Sequence, residues 1–281
     1  MRARVLGHDI FYTSSRRGAP PWRAPMLTLH GGPGFDHTYL ARGLDVLSDE
    51  MEVIYYDQLG SGRSERPASL DGGMEVWVDE VDALREHLGH DKVVLFGHSF
   101  GSFIAIDVAL RYGARLAGLI LCSSAPAMDY PAESMRLARA RATPEQFEAL
   151  GRALGGSLVD DEAFRAGWQD VMPAYVKTFT PALGKAMSEG IQYSALAYNH
   201  GIGKCLPAFN RTDELGEIAA PTLILQGRHD WITPPAQGGE RLAAGIRGSE
   251  LVTFEESGHY PFLEEPERFE AVVRAWLRRL E

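Results

Sequence analysis

The stretch from Val93 to Ala105 limits the possible folds of this chain more than any other part of the sequence. Val93–Phe96 is a short apolar run, and such a run next to glycine is typical of a buried strand. The residues that follow, Gly97-His98-Ser99-Phe100-Gly101, have the pattern G-x-S-x-G. Apolar residues then continue and predict a helix that is packed on both sides. A strand, a sharp turn and a helix form the context in which this pattern presents a nucleophilic serine.

The predicted turn would hold Ser99 in a strained backbone conformation. Glycine at positions 97 and 101 lets the neighbouring strand and helix approach closely, because glycine has no Cβ. The hydroxyl of Ser99 would then lie at a helix N-terminus, where free N–H groups and the helix dipole stabilise a developing negative charge. On this motif alone, an ordinary strand-to-helix turn remains open.

Length and composition narrow the class of protein. The 281 residues suffice for one large α/β domain or two small ones, and 45% apolar with 23% charged residues is typical of a soluble globular protein. The net charge of −10 argues against nucleic acid or an anionic membrane as the partner. The two cysteines predict neither a disulfide framework nor a zinc site. With no apolar leader or span visible, we expect a cytoplasmic protein.

Strand and helix patterns alternate on both sides of a helical stretch, after a turn predicted over residues 18–21. The predicted strands cover residues 9–13, 26–29, 52–56, 93–96, 116–122, 221–226 and 250–254. The predicted helices cover residues 39–49, 74–87, 103–110, 239–245 and 265–280. This alternation indicates an α/β fold with a mostly parallel sheet that helices cover on both faces.

Residues 127–211 have a different character. Helical patterns cover residues 147–154, 161–172 and 181–198, with breaks at Gly155-Gly156 and Pro173. We interpret this segment as a helical cap inserted over the carboxyl edge of the sheet, where α/β proteins bind ligands. Residues 1–126 and 212–281 would form the core.

Two later strands end in loops that carry Asp230 and His259. The chain order Ser99, Asp230, His259 is the order of a Ser-His-Asp site on this type of sheet. Histidine can take the serine proton as the hydroxyl attacks, and the carboxylate orients the imidazole. Other histidines, at positions 30, 98, 200 and 229, compete with His259. His98 and His229 adjoin site residues, and we expect both to point away from the site.

The loop His30-Gly31-Gly32-Pro33-Gly34 follows another predicted strand. It lacks the G-K-[ST] ending of a phosphate-binding loop, which disfavours that function. A glycine-rich loop of this type can donate a backbone N–H to the oxygen of a reacting carbonyl. We expect the oxyanion donors to be the N–H groups of Phe100 and of the Gly31-Gly32 pair, with Gly32 favoured over Gly31.

Taken together, these motifs resemble the proline iminopeptidases (prolyl aminopeptidases) of the α/β-hydrolase superfamily. The resemblance is carried by the glycine-rich loop, the serine motif and three further segments: Asp57-Gln58-Leu59-Gly60-Ser61-Gly62-Arg63-Ser64, Gly227-Arg228-His229-Asp230 and Ser257-Gly258-His259. It implies an eight-stranded sheet, a helical cap, no cofactor or metal, and release of N-terminal residues from small peptides.

The chain departs from this family at the residues that hold the substrate's amino group. Some members use cap glutamates, or an acid directly after the catalytic aspartate, whereas Trp231 stands at that place here. The cap segment 194–200 has no carboxylate, and the nearest acids are Glu189 and Glu214, for each of which a surface position is the alternative. We expect Phe35, Phe100, Trp231 and Tyr260 to line an apolar pocket, with Glu189 as a candidate for binding an amine.

The sequence therefore predicts a serine hydrolase that forms an acyl-enzyme on Ser99 and cleaves an amide or ester of a small substrate or short peptide. The alternatives are an esterase or lactonase for an apolar acyl group, and a non-hydrolytic acyltransferase or C–C bond hydrolase. A binding module is disfavoured because Ser99, Asp230 and His259 are all present. An epoxide hydrolase or dehalogenase is disfavoured because those enzymes carry aspartate at the position of Ser99.

Overall fold

Eight strands form a single sheet in the computed structural model, which describes residues 1–18, 24–153 and 157–280. The order across the sheet is β1-β2-β4-β3-β5-β6-β7-β8. The strands are β1 (Arg2–Val5), β2 (His8–Ser15), β3 (Met26–Leu29), β4 (Val53–Tyr56), β5 (Val93–His98), β6 (Leu116–Cys122), β7 (Thr222–Gly227) and β8 (Glu250–Phe254).

Helices follow most of these strands. They are α1 (Thr38–Leu44), α2 (Glu75–His87), α3 (Phe100–Tyr112), α4 (Pro131–Arg141), α5 (Pro144–Ala153), α6 (Asp161–Val171), α7 (Pro181–Ser188), α8 (Ala195–His200), α9 (Gly239–Gly245), α10 (Pro261–Glu264) and α11 (Pro266–Leu277). None of the helices in the described part of the chain combines the length and the apolar character needed to cross a bilayer.

The direction of the strands brings several loops to one edge of the sheet. β2 runs antiparallel to β1 and β4, whereas the pairs from β4 through β8 are parallel. Leu29 pairs with Gly97 at the end of β3, and His98 pairs with Cys122 at the end of β5. The loops that leave β3, β5, β7 and β8 therefore share the carboxyl edge, where parallel sheets place ligand sites.

Two apolar layers hold the sheet between helices, because successive strand residues point to opposite faces. Leu27 and Leu95 pack in one layer with residues of α2, α3 and α9. Val94 and Phe96 pack in the other layer with residues of α1 and α11. α3 is buried along most of its length, as its apolar sequence predicts.

A helical segment joins β6 to β7 and contains α4 to α8. Three of its helices begin where the sequence offers a capping side chain: Asp160, Thr180 and Ser194 accept hydrogen bonds from the N–H groups at the starts of α6, α7 and α8. At the base of the segment, Ala127 and Asn210 form an isolated antiparallel bridge.

The α/β fold and the mostly parallel sheet are confirmed, whereas several details differ from the sequence prediction. β1 was not predicted, and it pairs with β2 through a turn at Leu6 and Gly7, both at positive φ. The single helix predicted over residues 181–198 is two helices, α7 and α8, and the one over 265–280 is α11 alone. The predicted break at Gly155-Gly156 and residues 19–21 of the first predicted turn lie outside the described residues.

Candidate active site

Ser99 lies between β5 and α3 with φ 53° and ψ −119°. A non-glycine residue in this region costs about 1–3 kcal/mol, and such strain concentrates at functional sites. The flanking glycines are required by close packing: a Cβ at Gly97 would lie 2.6 Å from the carbonyl oxygen of Gly101, and one at Gly101 would overlap the carbonyl of Leu29. The chain therefore makes the sharp turn that the motif predicts.

Asp230 and His259 lie side by side in the loops after β7 and β8. The Nδ1 of His259 is 2.7 Å from Oδ2 of Asp230, and both residues are 2% exposed. The carboxylate also accepts hydrogen bonds from the N–H groups of Ile232 and Thr233 and from the Thr233 hydroxyl, at 2.8, 3.1 and 2.7 Å. An aspartate held in this way orients the imidazole and can stabilise an imidazolium.

Ser99 and His259 line the same cavity, which lies between the carboxyl edge of the sheet and the helical segment. We call it the Ser99 cavity, and its volume is about 100 Å³. The lining residues are Gly32, Phe35, His98, Ser99, Phe100, Phe103, Met128, Leu158, Phe164, Gly167, Trp168, Val171, Tyr175, Tyr198, Ile202, Leu206, Ile232, Thr233, His259 and Tyr260. Within the described residues, this lining includes many aromatic rings and no carboxylate.

The glycine-rich loop after β3 presents Gly32 to the cavity. Gly31 lies directly against the sharp turn at Ser99, which we call the elbow, since a Cβ at Gly31 would be 3.0 Å from Cβ of Ser99. Its N–H, however, donates a 2.6 Å hydrogen bond to the Tyr39 hydroxyl. The prediction of Gly31 as a second candidate for the oxyanion donor is therefore wrong. Across the described part of the chain, the N–H groups of Gly32 and Phe100 donate to no protein acceptor.

The imidazole of His98 does not point away from the site, contrary to the prediction. It lines the Ser99 cavity, and its Nε2 lies 2.9 Å from the backbone oxygen of His259. Burial holds the pKa of His98 well below its usual range, so the ring is neutral. No pattern in the sequence indicates this contact, because the two histidines are 161 positions apart.

Phe35, Phe100 and Tyr260 line the cavity as expected, whereas Trp231 and Glu189 do not. The indole N–H of Trp231 donates to the backbone oxygen of Ala174 at 2.9 Å, which fixes the ring outside the lining. Glu189 lies on the surface, where its carboxylate is 3.5 Å from Arg42 and 3.4 Å from Lys185.

The helical segment also contributes cavity residues that no sequence motif indicates. Phe164, Trp168, Tyr175 and Tyr198 all line the cavity, and the rings of Trp168 and Tyr175 are 4.9 Å apart. Their spacing along the chain is that of ordinary core positions of amphipathic helices, so periodicity could not separate cavity residues from core residues.

Glu264 supports the loop that carries His259. Its largely buried carboxylate accepts hydrogen bonds from the N–H groups of Gly258, Tyr260 and Lys177, at 2.9, 3.0 and 2.7 Å. Burial raises the pKa of this carboxyl group. The His259 N–H donates to the backbone oxygen of Tyr175 at 2.8 Å. The helical segment is thus tied to the loop of the proposed base.

One buried cluster could in principle offer metal ligands among the described residues: Asp36, His37 and Asp57 have ligand atoms within 4.8 Å of one another. Their oxygens already accept hydrogen bonds, however. Asp57 accepts from the His37 N–H at 3.0 Å and from its Nδ1 at 2.6 Å, and Asp36 accepts from the N–H of Gln192 at 2.9 Å. We interpret the cluster as a set of hydrogen bonds that holds together the loops around the site.

The chain is similar to known proteins over nearly its whole length. Residues 24–266 match the family model described as alpha/beta hydrolase fold. A proline iminopeptidase of Saccharolobus solfataricus is 31% identical, over 98% of this chain and 90% of the relative.

Two solved structures are also similar from end to end. The crystal structure of a proline iminopeptidase from Mycobacterium smegmatis has a TM-score of 0.77 at 24% identity, over 100% of this chain and 98% of the other, and shows a shared fold. A thermophilic esterase from Thermogutta terrifontis, with malate bound, has a TM-score of 0.72 at 29% identity, over 100% and 98%.

Proposed function

Because this chain belongs to the α/β-hydrolase family and to its proline iminopeptidase-like branch, we propose that it is a serine hydrolase whose nucleophile is Ser99. It would cleave an amide or ester bond of a small substrate. The observation that supports this most is the 2.7 Å hydrogen bond between Asp230 and His259, in a cavity that the strained Ser99 also lines. Residues 127–211 form the cap in this proposal, and residues 1–126 and 212–281 form the core.

In the proposed reaction the acyl group is transferred twice, first to Ser99 and then to water. The Ser99 oxygen attacks the substrate carbonyl carbon while Nε2 of His259 takes the hydroxyl proton. The N–H groups of Gly32 and Phe100 hold the negative charge on the carbonyl oxygen. The bond to the leaving group then breaks, and His259 gives that group its proton. Water, deprotonated by His259, attacks the acyl-enzyme and releases the acid and Ser99.

An active-site label tests this proposal. A fluorophosphonate probe is expected to form one covalent adduct, on Ser99, and to abolish activity in proportion to labelling. The reason is that the same base and the same oxyanion donors would activate the serine toward phosphorus. Peptide mapping by mass spectrometry identifies the site. An adduct on another serine, or full activity after complete labelling of Ser99, would contradict the proposal.

Two substrate classes fit this machinery. The first class is peptides with an N-terminal proline, and it is supported by the name of the relatives, proline iminopeptidase. The Ser99 cavity favours a second class, esters or amides with a neutral, ring-sized apolar acyl group. A substrate ammonium in this cavity would lose its hydration shell without a described carboxylate to pair with it, and such desolvation costs several kcal/mol. Contact with the aromatic rings returns only about 0.5–2 kcal/mol.

A matched pair of substrates separates these classes. L-Prolyl and cyclopentanecarbonyl amides of one fluorogenic amine differ only in whether the ring carries the amine. We expect kcat/KM to be at least tenfold higher for the cyclopentane compound, since a tenfold ratio needs only about 1.4 kcal/mol of the desolvation cost. A preference for the prolyl amide would show that the cavity recognises the charged amine.

Gly167 allows the same idea to be tested by adding a charge. It lies in α6 on the cavity lining, and a Cβ there would meet no atom within 4 Å. We expect Gly167→Asp to raise the prolyl-to-cyclopentane ratio of kcat/KM, because the new carboxylate can pair with the ammonium. Gly167→Asn is the control of equal size, and an equal rise in that variant would exclude the electrostatic explanation.

A further inference from the structure

A buried chain of hydrogen bonds connects the glycine-rich loop to the loop of His259. The Gly31 N–H donates to the Tyr39 hydroxyl at 2.6 Å, and that hydroxyl lies 2.8 Å from Nδ1 of His98. Nε2 of His98 lies 2.9 Å from the backbone oxygen of His259. Tyr39 and His98 are each 1% exposed, so water does not compete for these bonds.

The chemistry of the end groups determines which group donates and which accepts in each of these hydrogen bonds. A backbone oxygen can only accept, so Nε2 of His98 must carry the ring proton, and Nδ1 of the neutral ring is then an acceptor. The Tyr39 hydroxyl therefore donates to Nδ1 and uses its oxygen to accept from Gly31. Every donor in the chain has one acceptor, and only this one arrangement of protons satisfies all four groups.

The orientation of one peptide group depends on this arrangement. Because the Gly31 N–H is bound to Tyr39, the Gly31 residue cannot turn that N–H toward Ser99, although it lies directly beside the elbow. The next peptide group carries the Gly32 N–H, which has no acceptor among the described residues, and its oxygen, that of Gly31, lies 2.9 Å from Nδ1 of His30. Glycine has little intrinsic preference between backbone conformations, so a pair of glycines needs such an external constraint.

We propose that Tyr39, oriented by His98, is a positioning residue that sets the Gly31-Gly32 backbone so that Gly32 becomes the oxyanion donor. This inference rests on the proposed serine-hydrolase function. Neither side chain exchanges a proton with the substrate. Their effect is on the transition state, where the oxyanion exists, and hardly on the bound ground state.

Tyr39→Phe removes the hydroxyl and keeps the ring. We expect kcat to fall about 10- to 100-fold with KM changed less than about twofold, somewhat below the typical loss of a whole oxyanion donor. Affinity for an alkylboronic acid, whose adduct with serine places an oxygen in the oxyanion site, should fall by a similar factor. Tyr112→Phe is the matched control, because it removes a hydroxyl that is bonded to Asp79 at 2.8 Å, and neither residue lines the Ser99 cavity.

Substitutions of His98 give a second test that does not depend on how well Tyr39→Phe folds. His98→Gln keeps an acceptor for Tyr39 and a donor for the His259 carbonyl, whereas His98→Leu keeps neither. We expect the order of kcat to be wild type, then Gln, then Leu, among variants with native circular dichroism. Equal kcat for His98→Gln and His98→Leu would overturn the inference.

The inference also fails if Tyr39→Phe lowers only the melting temperature and leaves kcat and boronate affinity unchanged. It fails too if the variant shifts the acid limb of the kcat/KM profile with boronate affinity unchanged, because the chain would then act on the base. Both failures leave fluorophosphonate labelling of Ser99 intact. Loss of labelling in the wild-type protein would instead contradict the proposed function.

Discussion

Replacement of Ser99 with alanine is expected to lower kcat by about 10⁵- to 10⁶-fold, the scale seen when the nucleophile of such a triad is removed. The methyl side chain of alanine cannot form the acyl-enzyme, and the strained turn at this position has no other nucleophile at its tip. A small residual rate would come from binding and the oxyanion donors. Steady-state kinetics with a chromogenic ester, together with the loss of phosphonate labelling, measure both effects.

The control for this experiment lies three residues further along the same elbow. The Ser102 hydroxyl donates to the backbone oxygen of Gly97 at 2.6 Å and accepts from the Cys122 N–H at 3.2 Å, so it supports the turn from inside. Ser102→Ala should lower stability, because it removes buried hydrogen bonds of the turn, but phosphonate labelling of Ser99 should persist. If Ser99→Ala retained full turnover, the assignment of the triad would be wrong.

Local signals in the sequence were enough to predict the architecture. The parallel strands, β3 to β8, are mostly apolar runs that end in glycine or polar loops, and the fold class follows from their alternation with helices. The boundaries that failed depend on contacts distant in sequence. The helix predicted over residues 181–198 is interrupted near Gly190, at φ 80°, and the Ser194 N–H donates to the carbonyl oxygen of Gly34 at 2.8 Å. No periodicity in the segment itself could show this.

At the site, too, local sequence signals predict some features, and contacts distant in sequence determine the others. Ser99, Asp230 and His259 each stand after a strand, so chain order and topology were enough to suggest that they meet. The orientations of Trp231, Glu189 and His98 depend instead on partners far along the chain, among them Ala174, Arg42 and the His259 carbonyl. Each of these side chains has several rotamers compatible with its local backbone, and the sequence contains nothing that selects one.

Asp230→Asn is expected to lower kcat by about 10⁴-fold, through the tautomer of His259 rather than through loss of folding. The Oδ1 position of Asp230 accepts two backbone N–H groups, from Ile232 and Thr233, so the asparagine must place its oxygen there. Its NH₂ group then occupies the Oδ2 position and faces Nδ1 of His259. Nδ1 must accept, the ring proton moves to Nε2, and Nε2 can no longer take the proton of Ser99.

The Thr233 hydroxyl does not oppose this arrangement, because it can rotate and accept from the new NH₂ group. The site therefore tolerates asparagine structurally while it holds the imidazole in the wrong tautomer. Asp107→Asn is the control for a buried carboxylate. The Oδ1 of Asp107 lies 2.6 Å from Nε of Arg211, and this pair is not part of the cavity lining. The variant should lower the melting temperature more than it lowers kcat. A loss of less than about tenfold in Asp230→Asn would mean that another group fixes the tautomer of His259.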